Sequence, residues 1–181
     1  KCFRANSTIA IKPNDLTFEE AATIPVGGIN ALHFLRKANI QPGQKVLVIG
    51  AGGSIGTYGV QLAKFFGGEV TAVDRTDKLD MLTRIGANHV IDFTKEDFTQ
   101  SGIKYDVVFD MVYQSDFSAC IHVLKKKGYY LMANPSPVKM FRALLASSKT
   151  SRQVIFKFAE EKSADLEYIA GLIALKKIVV V

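Results

Sequence analysis

Short runs of β-branched and aromatic residues recur along this 181-residue chain, each followed by a stretch with helical periodicity. No other feature narrows the fold so far. The runs are KVLVIG (45–50), EVTAVD (69–74), HVIDF (89–93), YDVVFDMV (105–112), GYYLMA (128–133) and QVIFKFA (153–159). They carry little polar interruption, as strands buried on both faces should. Helices are expected over Ile55–Phe66, Asp77–Ile85, Lys95–Gln100, Ser115–Leu124, Lys139–Ser147 and Ala164–Leu175. Strand and helix in alternation give parallel strands joined by crossover helices. The expected fold class is α/β, a doubly wound six-stranded parallel sheet of order 3-2-1-4-5-6. Ahead of it, LTFEEAATIPVGGINALHFLRKANIQPGQ reads as two short helices. Thr17 and Glu20 have capping-box spacing, and Pro42-Gly43 turns the chain into the first strand.

One strand-to-helix junction is unusual. VLVIGAGGSIG, Val46 to Gly56, has four glycines in its last seven residues. Glycine is the costliest residue to order, so a turn rich in it needs close approach or positive φ. The helix that follows points unpaired N–H groups and its positive dipole end at the turn. The combination suits a pyrophosphate. The spacing fits G-x-x-G-x-x-G at Gly50, Gly53 and Gly56 better than G-x-G-x-x-G. Gly53 is assigned to approach of the anion and Gly56 to packing of helix on strand, with Ser54 and Ile55 as N–H donors. No Lys follows Gly56, so this is not a Walker loop. Asp74 ends the next strand, where a carboxylate binds an adenosine ribose and favours NAD. Arg75 and Lys78 stand beside it, and either cation suits the 2′-phosphate of NADP. Asp74 also reads as a plain helix-start residue. The cofactor is therefore NAD or NADP.

Composition excludes other classes. The net charge of +6 is spread along the chain, so no nucleic-acid partner is expected. The densest run, Lys125-Lys126-Lys127 before Gly128, reads as a helix C-terminus with a glycine cap. No apolar run reaches the roughly 18–20 residues that span a bilayer, and no membrane partner is expected. Two cysteines, Cys2 and Cys120, and three histidines, His33, His89 and His122, form no CxxC, HxxxH or HExxH. No metal ligands are assigned, and Cys120 and His122 read as structural. Two distant thiols fit a reducing compartment, so a cytoplasmic location is expected.

KPNDLTFEEAATIPVGGINALHFLRKANIQPGQKVLVIGAGGSIGTYGVQLAK resembles the medium-chain dehydrogenase/reductase superfamily, in particular its zinc-independent quinone-reductase branch. RIGANHVIDFTKEDF, FDMV and GYYLMANPSP resemble the same branch. The resemblance implies a Rossmann domain over 17–181 that binds a nicotinamide dinucleotide. It implies that 1–16 is the last crossing from an N-terminal GroES-like catalytic domain, and that Ile178–Val181 return toward that domain. It implies that Phe93 flanks the adenosine, and that Val112, Ala133 and Asn134 lie near the nicotinamide ribose. Asn30 stands where the branch commonly has Thr or Ser near the nicotinamide. Val26 stands where zinc-dependent members place a cysteine ligand, which disfavours zinc chemistry. The implied reaction is hydride transfer to a quinone, enone or similar carbonyl acceptor in the full-length protein. The implied assembly is a homodimer formed edge to edge.

No catalytic residue is assigned in this chain. Tyr113 and His122 are the only plausible proton donors near the strand ends. Two other classes share the glycine turn: an S-adenosylmethionine-dependent methyltransferase and a non-catalytic nucleotide-sensing protein. The Pro-Val-Gly-Gly lead-in and six parallel-type strands argue against the methyltransferase.

Overall fold

A computed structural model describes residues 7–181 except 15, 150, 157, 158 and 161, and leaves the side chains of 146–149 outside the description. Thr17 opens α1 (Phe18–Thr23) with the expected capping box. Its hydroxyl accepts the Glu20 N–H, and the Glu20 carboxylate accepts the Thr17 N–H. The two helices expected here are joined without a break. α1 runs through one π turn, Ile24–Gly28, into α2 (Ile29–Ala38). Pro25 has no N–H to donate, and the Ile29 N–H reaches back to the Ile24 carbonyl.

The remaining elements are β1 (Lys45–Ile49), α3 (Ser54–Phe65), β2 (Glu69–Asp74), α4 (Leu79–Arg84), β3 (His89–Asp92), β4 (Tyr105–Asp110), α5 (Phe117–Val123), β5 (Leu124–Met132), α6 (Pro137–Lys149), β6 (Gln153–Ile155) and α7 (Ser163–Ala174). The sheet order is β3-β2-β1-β4-β5-β6, with every pairing parallel. This is the order the sequence predicts. β1 lies between β2 and β4, so the chain reverses its direction of travel there. That switch leaves a crevice beyond the carboxyl ends of the strands. Side-chain alternation feeds two cores. Val46 and Val48 join α2, α3 and α7 on one face, while Leu47 and Ile49 join α5 and α6 on the other.

Three local expectations are corrected. The lysine run does not end a helix: α5 stops at Val123, and β5 begins at Leu124, whose side chain is buried in the second core. The pairing of β5 with β4 shifts register between Tyr105 and Val107. Lys127, not Gly128, takes the left-handed conformation, with φ of 63°. Gly128 is needed for space, since a Cβ there would lie 2.8 Å from the Asp106 carbonyl oxygen. The expected helix Lys95–Gln100 reduces to one 3-10 turn, Phe98–Gln100, because Asp97 accepts the Thr99 N–H at 2.9 Å and closes the chain locally. The sixth strand is shorter than QVIFKFA: it covers Gln153–Ile155, and residues 157 and 158 lie outside the description.

Candidate nucleotide site

The glycine turn follows β1 directly. Gly50 has φ of 78°, a conformation that a residue with a Cβ adopts only under strain. Its N–H and that of Ala51 both donate to the Val73 carbonyl, at 3.0 and 3.2 Å, which folds the turn across the end of β2. The Gly53 N–H donates back to Gly50 at 3.2 Å, and Gly53 becomes the N-cap of α3 without a side-chain cap. Thr57 is the first α3 residue whose N–H finds a carbonyl, that of Gly53 at 2.9 Å. Among the described residues the N–H groups of Ser54, Ile55 and Gly56 have no acceptor. They sit at the positive end of a 12-residue helix.

The glycines of this turn are not interchangeable. A Cβ on Gly56 would stand 2.4 Å from the Gly50 carbonyl oxygen and 2.6 Å from that of Ala51. Gly56 is therefore fixed by packing. A Cβ on Gly53 would meet its nearest neighbour at 3.5 Å, an ordinary contact, and Gly53 is exposed. Gly52, which sequence reasoning passed over, is crowded from the end of β2 and the turn after it: a Cβ would lie 2.9 Å from Lys78 Cγ and 3.1 Å from Asp74 Oδ2. Its N–H donates to Asp74 Oδ2 at 2.7 Å, while Asp74 Oδ1 accepts the Arg75 N–H at 2.8 Å. The Asp74 carboxylate thus ties the turn to the end of β2.

A cavity of about 610 Å³ opens beside this turn. Of the residues singled out from the sequence, Gly50, Asp74, Arg75, Phe93 and Val112 line it. Gly53, Ser54, Ile55 and Gly56 form the adjoining turn, and Lys78 packs over Gly52. Asn30, Ala133 and Asn134 do not line the cavity. Asn30 Nδ2 donates to the Val26 carbonyl at 2.8 Å, and the Ala133 N–H donates to the Asp110 carbonyl at 2.9 Å. Sequence reasoning missed Asp97, Phe98, Thr99, Ser115, Asp116 and Ala119 on the same walls. Asp97-x-Thr99 and Asp116-x-Ser118 carry a readable signal, since both aspartates accept the N–H two residues on.

Asp92 holds the Phe93 wall in place. Its buried carboxylate accepts the Thr76 hydroxyl, the Thr94 hydroxyl at 2.6 Å and the Thr94 N–H at 3.0 Å. Lys95 lies 3.3 Å away. The Thr76 bond above all, then the Thr94 hydroxyl, holds this carboxyl well below the usual carboxylate range. The loop after β2 is thereby joined to the loop after β3.

The candidate donors fare differently. Tyr113 is exposed in the loop after β4 and does not line the cavity. His122 is not near those strand ends. With Lys104 it lines a separate cleft where β4 and β5 begin, and its carbonyl accepts Lys104 Nζ at 2.8 Å. Cys120 is buried, and burial above all pushes its thiol up to about 12, leaving an inert side chain. Val26 is exposed in the π turn. Among the described residues no three His, Cys, Asp or Glu side chains gather as a metal site. No helix among those residues is long and apolar enough to cross a membrane.

Sheet order, glycine turn and crevice together define a doubly wound α/β domain with an open glycine turn at its switch point. The chain belongs to the zinc-binding dehydrogenase family, whose pattern matches residues 54–167. It is similar to the 2-methylene-furan-3-one reductase of Solanum lycopersicum, at 39% identity over 122 residues, covering 66% of this chain and 31% of that protein. It is similar to the chloroplastic NADPH-dependent alkenal/one oxidoreductase of Arabidopsis thaliana, at 34% identity with the same two coverages, 66% and 31%. The solved quinone oxidoreductase from Coxiella burnetii matches it with a TM-score of 0.84 at 26% identity, over 92% of this chain and 52% of that one. The chain thus spans about a third of the length of these two curated relatives.

Proposed function

We propose that this chain is the cofactor-binding part of an NAD(P)H-dependent oxidoreductase that passes hydride, without zinc, to a quinone, enone or similar carbonyl acceptor. The observation that carries the reading is the set of open N–H groups at Ser54, Ile55 and Gly56 beside a cavity of about 610 Å³. The names of the relatives support the acceptor class: a furanone reductase, an alkenal/one reductase and a quinone reductase. The dinucleotide supplies the hydride; the protein binds, orients and excludes water.

Each group of this chain has a share in that. The α3 N–H groups receive the diphosphate. Phe93 walls the adenosine side, and Val112, on the same cavity, stands toward the nicotinamide ribose. Asp74 already has an N–H on each oxygen, so it is less available to a ribose hydroxyl than its position suggests. Arg75 and Lys78 then tip the balance toward the 2′-phosphate of NADPH. Ala133 and Asn134 follow β5 and serve the nicotinamide end, as does Asn30. Val26 in place of a cysteine supports the zinc-free reading. Residues 1–16, of which 1–6 and 15 lie outside the described residues, act on this reading as the crossing from a catalytic domain that carries the acid.

The whole protein is a cytoplasmic homodimer with no nucleic-acid or membrane partner. β6 at the sheet edge and the exposed Phe141 and Leu144 on α6 support a second copy there. Light scattering at micromolar concentration should give twice the chain mass. Parallel fluorescence titrations with NADPH, NADH and S-adenosylmethionine test the main reading. Saturable binding of NADPH, at least as tight as NADH and without response to S-adenosylmethionine, is expected. Saturation by S-adenosylmethionine alone, or by none of the three, would sink it.

A further inference from the structure

The loop after β4 is wound around a buried ion pair that hydride transfer does not use. Asp110 ends β4 with its side chain 1% exposed, and Lys139 enters from the first turn of α6 with its side chain 7% exposed. Their charged atoms are 3.4 Å apart. Lys139 Nζ also donates to the Val112 carbonyl at 2.7 Å and to Ser115 Oγ at 2.5 Å. Asp110 Oδ1 accepts the Val112 N–H at 2.9 Å. Its Oδ2 accepts the Tyr130 hydroxyl at 2.8 Å and the Ser115 hydroxyl. Val112 is therefore held at both its N–H and its carbonyl.

The main chain of the same two residues also meets the next loop. The Ala133 N–H donates to the Asp110 carbonyl, and the Lys139 N–H donates to Ser136 Oγ at 3.3 Å. The connection reaches the glycine turn as well, because Val112 Cγ2 lies 3.0 Å from where a Cβ on Gly50 would stand. Attraction within a buried pair is largely offset by its lost hydration, so such a pair is weak evidence for a stability role. An apolar pair would fill the same space, but it could not hold the Val112 carbonyl and the Ser115 hydroxyl. What the lysine adds is the shape of the loop.

We propose that Lys139 is a positioning residue: from α6 it holds residues 111–116 in the shape that walls the nucleotide cavity. The binding consequence rests on the nucleotide reading above; the loop consequence does not. Two variants separate positioning from mere stability. Lys139→Met leaves the Asp110 charge buried without its partner, and its Tm should fall sharply. Asp110→Asn combined with Lys139→Met removes both charges; the Asn amide oxygen still accepts the Val112 N–H, and its NH2 donates to the Tyr130 and Ser115 hydroxyls, which turn to accept. Its Tm should recover most of the loss.

The loop stays untied in that double variant. The Ser115 N–H, which donates to Val112, should exchange with solvent at least about tenfold faster than in the wild type, measured without nucleotide. The NADPH dissociation constant should rise about tenfold even though stability has returned. Unchanged exchange at Ser115 overturns the proposal, and so does an affinity that recovers together with Tm. A wild-type chain that takes no NADPH would defeat the functional reading instead, and the exchange result would then decide the role of Lys139 alone.

Discussion

Two neighbouring strands, β1 and β4, end side by side and hand the chain to helices in opposite ways. After β1 the turn is made by having no side chains: Gly50, Gly52, Gly53 and Gly56 let carbonyls and N–H groups pack on one another. After β4 the turn is made by side chains: Asp110, Ser115, Tyr130 and Lys139 hold a loop of ordinary residues. The first leaves main-chain donors open to a ligand. The second uses almost every donor it has on itself. On the proposed function, the first would seat the diphosphate and the second would wall it in.

The contrast can be broken at several points. The largest effect belongs to the β4 side. Lys139→Met alone should cost about 3–5 kcal/mol in chemical denaturation, the usual loss when one partner of a buried ion pair is removed. A loss under about 1 kcal/mol would mean that water already reaches Asp110. Next comes the packed glycine. Gly56→Ala places a methyl 2.4 Å from a carbonyl oxygen, and about 2 kcal/mol of stability should go with it. Gly53→Ala sharpens the comparison, because its Cβ has room in the fold. Its Tm should match the wild type, while NADPH binding weakens about tenfold by obstruction of the anion's approach. Equal affinity would remove Gly53 from the site.

The smallest effect is set by acidity. The Asp92 pKa is depressed in the folded chain, so its contribution is fully present above the unfolded value of about 3.9 and is lost as pH falls through the folded value. The Tm gap between wild type and Asp92→Asn should therefore narrow as pH is lowered from about 6 toward about 2. A constant gap would show that Thr76 and Thr94 bind Asn as well as they bind the carboxylate.

The same comparison explains what could be read from the amino acids. The strand order and the glycine turn were legible because their signals are local: an apolar run, four glycines and a helix within one stretch, and the capping box at Thr17. The lysine run at 125–127 was misleading because its local signal matches a helix end, whereas the burial of Leu124 and the register shift against β4 start a strand there. The Asp110–Lys139 pair was not legible at all. Its partners are 29 residues apart, and a lysine three residues into a helix looks like any solvated one until α6 is packed on the sheet. Asp74 falls between these cases. Its place at the end of β2 was readable, but its bond to Gly52, 22 residues earlier, was not.

The most direct test of the central claim follows individual N–H signals of the chain by ¹⁵N–¹H correlation spectroscopy during titration with NADPH. The account predicts that Ser54, Ile55 and Gly56 shift most, together and with one saturation curve, followed by Phe93 and Val112. Signals from 54–56 that stay fixed while NADPH binds elsewhere would contradict it.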